Sequence, residues 1–281
     1  MIITKIKGGL GNQLFQYAAG RAVALHHKLP LKLDLTIFET YKLHNGYRLD
    51  QFAIQAGIAT ENDIINLKGG NNVLFSALRK AGLLKRKSYF KEKRSSYFDA
   101  RVFKNNFVYL DGYWQNELYF SNIREVLLRE LSPINSMNDL GCDYLKPIQK
   151  SNSVSIHVRR GDYLNLKNIN VLDVDYYMKA VEYVRKNVEK PTFFIFSDDL
   201  DWCKKSLGFL DGCTYVDRTQ TEIDDLKLMS FCRHNITANS SFSWWGAWLN
   251  QNPNKIVIAP KGWLLNDPGS SNVILSDWVK F

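Results

Sequence analysis

Between residues 154 and 258, short apolar runs alternate with stretches whose apolar residues recur at helical spacing. The runs fit strands at 154–158, 193–196, 214–216, 236–238 and 255–258, and the stretches fit helices that begin near Asp173, Leu200, Glu222 and Phe242. Alternating strands and helices predict a parallel sheet with helices on both faces. The chain is therefore expected to contain an α/β domain.

Polar residues follow three of these strands. Residues 157–162 come after the first strand, 197–199 after the second and 239–245 after a later one. Ligands of open α/β sheets bind outside the carboxyl ends of the strands. The three clusters are therefore expected to meet at one edge of the sheet and to form a site there.

The first cluster ends in the sequence Arg159-Arg160-Gly161-Asp162. Two guanidinium groups suit a diphosphate, because each can donate paired charge-assisted hydrogen bonds to phosphoryl oxygens. Taken alone, the same residues also fit two surface charges and an aspartate that caps a turn. His157 shares a strand face with Arg159, which favours the diphosphate interpretation.

The N-terminal half begins with a strand at 2–7, the loop GGLGNQ at 8–13 and a helical pattern from Leu14. Such a loop presents backbone N–H groups and a helix N-terminus, which attract anions. A tight turn without a ligand is the other interpretation. The loop is not the dinucleotide fingerprint, because Leu14 stands where that motif has its third glycine. Asn12 and Gln13 could cap the helix or contact a substrate.

A further strand is predicted at 107–110, and the segment DGYWQN at 111–116 follows it. Tyr113 and Trp114, beside amide side chains, could stack on a sugar whose hydroxyls the amides bind. Packing of both rings in the core is the alternative.

The periodicity breaks between Ser132 and Ser153, where proline, glycine, asparagine and serine are frequent. This segment is interpreted as a linker. A length of 281 residues fits two domains of medium size. The predicted domains are residues 1–150, with the GGLGNQ loop, and residues 151–281, with the arginine pair.

The sequence predicts a cytoplasmic protein. No run approaches the roughly 20 apolar residues of a membrane span, and the first residues read as a strand and not as a cleavable signal. The four cysteines have no CxxC spacing and are expected to be free thiols.

Much of the net charge of +9 lies between Arg79 and Arg94, where eight basic residues accompany Glu92 alone. A solvated face is the commonest explanation of such a run. Peripheral contact with the inner face of an anionic membrane is the second. Nucleic acid is not expected as a partner, because no nucleic-acid-binding motif accompanies the charge.

Two aspartate pairs, Asp173 with Asp175 and Asp199 with Asp201, could hold Mg²⁺ or Mn²⁺ against a nucleotide diphosphate. Each pair directly precedes a predicted helix. Aspartates there stabilise a helix through its free N–H groups and its dipole, so capping is the favoured interpretation.

Three ordered motifs, GGLGNQ at 8–13, HVRRGDY at 157–163 and NSSFSWW at 239–245, resemble the bacterial α-1,2-fucosyltransferases of glycosyltransferase family 11. The resemblance covers almost the whole chain. It implies a GT-B type α/β architecture of two Rossmann-like domains facing across a cleft, with a GDP-fucose donor held mainly by the C-terminal domain. It implies no metal and no other cofactor. The segment GYWQNELYF at 112–120 also resembles the family, but it supplies no role for Tyr113 or Gln115.

The resemblance also implies site residues. Arg159 and Arg160 would contact the diphosphate, and Asp225, sixteen residues before Ser241, corresponds to an aspartate that binds guanine in the wider fucosyltransferase group. A carboxylate can accept both the N1 and N2 hydrogens of guanine, which uracil and adenine do not offer. The implied donor-binding residues are Asn12, His157, Arg159, Arg160, Asp225, Ser240, Ser241 and Phe242. No acceptor-binding residue is assigned.

The implied reaction is an inverting transfer of L-fucose from GDP-β-L-fucose to the 2-hydroxyl of a galactoside, in surface polysaccharide synthesis, where the acceptor could be lipid-linked. Arg159 would stabilise the departing diphosphate. Asp162 would be the general base, or else a carboxylate that fixes the arginines. The alternatives are a non-catalytic module that binds a nucleotide sugar or a glycan, and a metal-dependent transferase that uses Asp199 and Asp201.

Overall fold

The computed structural model describes residues 1–40, 44–68, 88–135, 139–167, 169–219, 221–264 and 268–281. The chain divides into two compact units, Met1–Ile134 and Asn135–Phe281, called here the N-terminal and C-terminal units. Within the described ranges, no helix is long and apolar enough to cross a lipid bilayer.

The N-terminal unit is a parallel sheet with strand order β3-β2-β1-β5-β4. Its strands are β1 (Ile2–Lys5), β2 (Leu31–Asp34), β3 (Gly57–Ile58), β4 (Tyr89–Lys91) and β5 (Val108–Asp111). Its helices are α1 (Leu10–His27), α2 (Glu61–Lys68) and α3 (Arg124–Glu130). Short 3₁₀ turns at Thr36–Glu39, Leu49–Gln51, Ala100–Lys104, Glu117–Tyr119 and Ser121–Ile123 connect them.

Helix α1 packs directly on the sheet because of Gly20. A Cβ atom built at Gly20 would lie 2.1 Å from Oγ1 of Thr4 in β1 and 3.1 Å from Cδ1 of Leu31 in β2. Gly8, at the start of the loop between β1 and α1, has a φ of +79°, which favours glycine. The first loop glycine therefore makes the turn, and Gly20 permits the close contact between helix and sheet.

The C-terminal unit is a six-stranded parallel sheet with the order β11-β10-β9-β6-β7-β8. Its strands are β6 (Asn152–Val158), β7 (Pro191–Ser197), β8 (Thr214–Tyr215), β9 (His234–Ile236), β10 (Val257–Ala259) and β11 (Val279–Lys280). Its helices are α4 (Asp139–Lys150), α5 (Val174–Asn187), α6 (Leu200–Ser206), α7 (Glu222–Phe231) and α8 (Ser241–Leu249). Two 3₁₀ turns cover Asp162–Asn165 and Pro268–Val273.

The predicted alternation of strands and helices is confirmed, because β6 to β10 and the helices between them follow in the expected order. Strand β6 is central: all its residues from Ser153 to Val158 are buried. Helix α5 covers one face with Tyr176, Tyr177, Ala180, Val181 and Val184, which are buried in the same apolar cluster as β6 and β7. The carboxyl ends of all these strands lie at one edge, where the polar clusters were expected.

The interpretation of residues 132–153 as a linker was wrong for most of that segment. Helix α4 occupies 139–150, contains Pro147 and packs against β6 and α7. Ile148 is fully buried, and the hydroxyl of Tyr144 donates a 2.7 Å hydrogen bond to Asp217. Tertiary packing therefore stabilises a helix whose sequence contains helix-breaking residues.

Candidate active site

Arg159 and Arg160 lie where β6 ends, and Gly161 leaves room beside them for the carboxylate of Asp198, which follows the neighbouring strand β7. Gly161 has no side chain, and a Cβ atom there would stand 2.8 Å from Oδ2 of Asp198. Asp198 follows the end of β7, the neighbouring parallel strand, whose last residue Ser197 pairs with Val158. The register of β6 and β7 thus places Asp198 against the backbone of the arginine loop.

Two carboxylates hold the guanidinium group of Arg159. Its Nε lies 2.9 Å from Oδ1 of Asp162 and 3.1 Å from Oδ2 of Asp198. A terminal nitrogen of the same group lies 2.8 Å from Oδ1 of Asp162. The ring of Tyr163 stands beside the group, with its centroid 5.7 Å from Cζ. A long side chain that is about three-quarters buried is therefore fixed in one orientation before any ligand binds.

Arg160 is fixed from three sides. Its backbone N–H donates to Oδ1 of Asp198 at 2.9 Å, and its Nε donates to Oδ2 of Asp199 at 3.2 Å. The guanidinium plane lies 4.1 Å from the ring centroid of Trp202, a cation–π contact. Asp198 therefore contacts both arginines: it forms an ion pair with the side chain of Arg159 and accepts the backbone N–H of Arg160.

Asp198 is the site residue that the sequence did not single out. It lies in the polar cluster 197–199, which was expected at this edge, but no role was assigned to it. The available signal was a carboxylate directly after the strand that neighbours the arginine strand, a position from which parallel pairing brings it to the arginines.

His157 is buried one residue before the end of β6. Its ring centroid lies 5.5 Å from that of Phe242, and its Nδ1 has no hydrogen-bond partner in the described part of the chain. Burial, and secondarily the charge of Arg159, lower the pKa of His157 to about 3. The imidazole is therefore neutral at physiological pH.

The late motif forms the N-terminus of helix α8. Ser240 is buried and precedes the helix, but its side chain makes no capping hydrogen bond. The other helices that begin at this edge differ, since side chains of Asp173, Asp199 and Thr221 cap α5, α6 and α7. An uncapped helix N-terminus leaves backbone N–H groups for an anion. Trp244, Trp245 and Trp248 anchor this helix in the core.

Two of the motifs are joined by hydrogen bonds within the C-terminal unit. The hydroxyl of Tyr163, in the arginine loop, donates to the backbone oxygen of Asn239 at 3.1 Å. The amide nitrogen of Asn239 in turn donates to the backbone oxygens of Asn170 and Trp263 at 2.9 and 3.3 Å. The loops that carry Arg159 and Ser240 are thus tied to each other.

Asp225 lies in the first turn of α7, after strand β8. The hydroxyl of Thr219 donates to its Oδ1 at 2.7 Å. Burial, which outweighs the hydrogen bond from Thr219, raises the pKa of Asp225 to about 6. A partly buried carboxyl with a raised pKa at a strand-end edge marks a candidate binding residue.

Asn12 belongs to the N-terminal unit. Its side-chain oxygen accepts a 2.7 Å hydrogen bond from Nε2 of Gln115, which links the GGLGNQ loop to the segment after β5. Gln13 is fully buried and bonds the backbone at Gly8, Gly46 and Arg48, so it holds the loop together. Trp114 is buried in the core, as the packing interpretation expected, whereas Tyr113 is 37% exposed and its ring is accessible.

The aspartate pairs act as helix caps, as the favoured interpretation predicted. Asp173 accepts the backbone N–H of Tyr176 at 3.0 Å, and Asp199 accepts that of Trp202 at 3.1 Å. Asp175 and Asp201 lie in the first turns of the same helices. Across the described ranges, no three histidine, cysteine or carboxylate side chains are grouped as a metal site.

The model of the family described as Glycosyl transferase family 11 matches residues 82–281. The chain belongs to glycosyltransferase family 11. It is 35% identical over 275 residues to an alpha-1,2-colitosyltransferase of Escherichia coli, covering 94% of this chain and 92% of that relative. It is 31% identical to the O-antigen biosynthesis glycosyltransferase WbnK of Escherichia coli, covering 98% of both. Human galactoside alpha-(1,2)-fucosyltransferase 1 is 27% identical, over 52% of this chain and 44% of its own length.

Solved structures agree on the fold. The fucosyltransferase NodZ from Bradyrhizobium has a TM-score of 0.53 and 12% identity, covering 87% of this chain and 91% of its own. A mutant of Arabidopsis thaliana FUT1 in complex with GDP also has a TM-score of 0.53, with 11% identity, covering 91% of this chain and 69% of its own. The expected α/β fold of GT-B type is confirmed, and the protein is a glycosyltransferase.

Proposed function

We propose that the protein transfers L-fucose from GDP-β-L-fucose to the 2-hydroxyl of a galactoside, with inversion and without a metal. The observation that carries this proposal is the pair of arginines at the end of β6, held in place by Asp162, Asp198 and Asp199. Charge develops on the GDP leaving group as the glycosidic bond breaks, and cations already in position stabilise it best.

The donor would lie along the carboxyl edge of the C-terminal sheet. The contacts of Arg159 use Nε and one terminal nitrogen, and a guanidinium has five N–H donors, so donors remain for a diphosphate. The uncapped N-terminus of α8, with Ser240, Ser241 and Phe242, would take the same anion. His157 lies beside Phe242, and Asp225 would accept the guanine hydrogens.

Asp162 has two roles to distinguish, general base toward the acceptor hydroxyl or orientation of Arg159. Its Oδ1 accepts a hydrogen bond from Nε of Arg159 and forms an ion pair with a terminal nitrogen of the same group, which are the contacts that orientation requires. In an Asp162→Asn variant, loss of the base would abolish transfer while slow donor hydrolysis persists. Loss of orientation would reduce transfer and hydrolysis together, because both need the leaving group stabilised.

The proposed reaction is tested by incubating the protein with GDP-fucose and a panel of β-galactosides, with product linkage read by NMR. Arg159→Ala should lower the transfer rate by about 10²–10³, the usual cost of removing one such donor. Lys186→Ala, an exposed change on helix α5, is the control. If the protein binds GDP-fucose but transfers fucose to none of the acceptors, the result would support the alternative of a non-catalytic binding module.

Colitose is the second candidate donor sugar, because the 35% identical relative is an alpha-1,2-colitosyltransferase. Colitose is L-fucose without its 3-hydroxyl. A site that hydrogen-bonds this hydroxyl rejects the deoxy sugar strongly, whereas an apolar site does not discriminate well. Competition between GDP-fucose and GDP-colitose in one reaction, with kcat/KM determined for each, decides between them.

The acceptor is proposed to be a surface-polysaccharide glycan, since one relative is named for O-antigen biosynthesis. We also propose a cytoplasmic location with peripheral attachment to the inner face of the membrane through residues 79–94. Residues 79–87 of that segment lie outside the described residues. Flotation with anionic liposomes at low and high salt, before and after reversal of four of its charges, tests the attachment.

A further inference from the structure

Two concavities adjoin beside strand β4 in the N-terminal unit. Their volumes are about 390 and 280 Å³, and their walls share Phe90, Lys93, Asp99 and Arg101. Together they are called here the β4 groove. The combined space is in the range of ligand pockets, which usually enclose about 300–1,000 Å³.

The β4 groove is cationic, and its carboxylates are already engaged. Five cations line it, Lys91, Lys93, Arg94, Arg101 and Lys104, against Glu92 and Asp99. Glu92 accepts the backbone N–H groups of Tyr113 and Trp114 at 2.6 and 3.0 Å. Asp99 accepts two hydrogen bonds from the guanidinium group of Arg101, at 2.8 and 2.5 Å, and a third from its backbone N–H at 3.1 Å. The exposed lysines are therefore not hydrogen-bonded by either carboxylate.

The smaller concavity has an aromatic wall. Its rings are Phe90, Tyr97, Phe98, Trp114 and Tyr119. Tyr97 and Phe98 are 37% and 40% exposed, although aromatic side chains usually bury their faces. The indole N–H of Trp114 is buried and has no hydrogen-bond partner among the described residues.

The groove is built before a ligand arrives. The side chain of Asn116 donates to the backbone oxygen of Ser96 at 2.7 Å. The hydroxyl of Tyr119 donates to the backbone oxygen of Tyr97 and accepts the N–H of Asp99, both at 2.9 Å. Trp114 has a φ of +58°, a costly conformation for a bulky residue, and Glu92 holds its backbone there. A wall fixed in this way loses little entropy when it binds.

We propose that the β4 groove binds the phosphate at the reducing end of a glycan acceptor, with the adjoining sugar ring against the aromatic wall. Ammonium and guanidinium groups bind phosphate oxygens, and sugar rings pack their C–H faces on exposed aromatic rings. Neutral glycans would use the aromatic wall alone and leave the lysines without a partner. The proposal rests on the proposed function, because it gives the acceptor of that transfer its chemical class, a phosphorylated glycan.

The test compares one β-galactosyl disaccharide with the same disaccharide as its 1-phosphate. The groove variant replaces three exposed lysines, Lys91→Gln, Lys93→Gln and Lys104→Gln. The control variant removes the same charge from exposed lysines of the C-terminal unit, Lys150→Gln, Lys186→Gln and Lys205→Gln. Wild type and control should show a lower KM for the phosphate. The groove variant should raise that KM about 10- to 100-fold, as three lost surface ion pairs allow, with kcat and the KM of the free sugar unchanged.

Calorimetric titration of the two probes without donor separates failure of this proposal from failure of the proposed function. Preferential binding of the phosphate that the groove variant loses supports the groove even if no fucose is transferred. Equal KM and equal affinity of wild type for both probes would overturn it. So would a groove variant that loses only binding to anionic vesicles, because the lysines would then contact a lipid surface.

The aromatic wall has its own variant. Phe98→Ala removes an exposed ring that stands 5.0 Å from Tyr119. It should raise the KM of the free sugar and of the phosphate by the same factor, because the sugar ring is common to both. An unchanged KM for both probes would show that no sugar packs on this wall and would contradict that part of the proposal.

Discussion

Asp198→Asn should slow the chemistry without weakening the binding of GDP. The asparagine keeps the shape of the side chain and one oxygen, which can still accept the backbone N–H of Arg160. What it loses is the charge that holds Nε of Arg159 at 3.1 Å. Arg159 then retains Asp162 as its carboxylate partner, and its orientation toward the leaving group becomes less fixed.

The magnitude follows from the contact that is lost. An ion pair between partly exposed side chains contributes about 0.2–1 kcal/mol, and the upper end applies here because both side chains are only about a quarter exposed. We therefore expect the rates of transfer and of donor hydrolysis to fall about fivefold, which corresponds to about 1 kcal/mol. Removing one negative charge near a diphosphate favours binding by about 1 kcal/mol at 4 Å in water. The dissociation constant of GDP should accordingly stay the same or decrease several-fold.

The assay pairs steady-state kinetics with calorimetric titration of GDP. Asp201→Asn, in the first turn of α6 after the Asp199 cap, is the matched control and should leave both measurements near wild type. A parallel loss of GDP affinity and rate would refute the reasoning, since Asp198 would then build the donor site itself. An unchanged rate would show that Asp162 alone suffices to orient Arg159.

Three further predictions follow from the structure. The carboxyl of Asp225 has a pKa of about 6 in the folded protein and about 4 in the unfolded chain. Without ligand, its contribution to the free energy of unfolding therefore falls as pH rises from 4 to 6. The variant Asp225→Asn should remove this pH dependence in denaturant titrations. GDP needs the carboxylate, so its affinity should weaken about tenfold per pH unit below 6 in wild type but not in the variant. Transfer should persist in EDTA, because Arg159 and Arg160 supply fixed hydrogen-bond donors to the diphosphate; a loss restored by Mn²⁺ would support the metal-dependent alternative. Gly20→Ala should cost about 1–3 kcal/mol of unfolding free energy through its contact with Thr4, whereas Gly208→Ala, with open space around it, should change little; equal values would contradict the packing argument.

The sequence predicted the C-terminal sheet well because its central strands are buried on both faces. Strand β7 is an almost continuous apolar run, and in β6 the residues Val154, Ile156 and Val158 alternate with buried polar residues. The amphipathic helices between the strands have a clear period. Strands β3, β4 and β11 were not predicted, since two or three residues give little signal alone. Strands β8, β9 and β10 are equally short, but the predicted order of alternating strands and helices indicates them. Helix α4 was missed because Pro147 and its polar neighbours suggest a loop, while the buried face that stabilises it exists only after folding.

The candidate site was predictable at the level of clusters and not at the level of contacts. The edge at which the clusters meet follows from the parallel sheet, and the capping roles of Asp173 and Asp199 follow from local helix chemistry. The contacts of Asp198 depend on the register of β6 and β7, and the bond between Gln115 and Asn12 joins residues about a hundred positions apart. No local pattern encodes such pairs, because they form only when the sheet does.

The charge balance of the arginine cluster explains why it needs other donors. Two guanidinium groups share three carboxylates, Asp162, Asp198 and Asp199, so without a ligand the cluster carries no positive excess that would attract a diphosphate from a distance. The carboxylates instead keep two like charges together on one loop and fix their direction. Affinity for the diphosphate must then come from hydrogen bonds at short range, to the arginines and to the free N–H groups at the start of α8. This arrangement favours the transition state over the bound donor, because hydrogen bonds from fixed donors strengthen as charge accumulates on the departing oxygen.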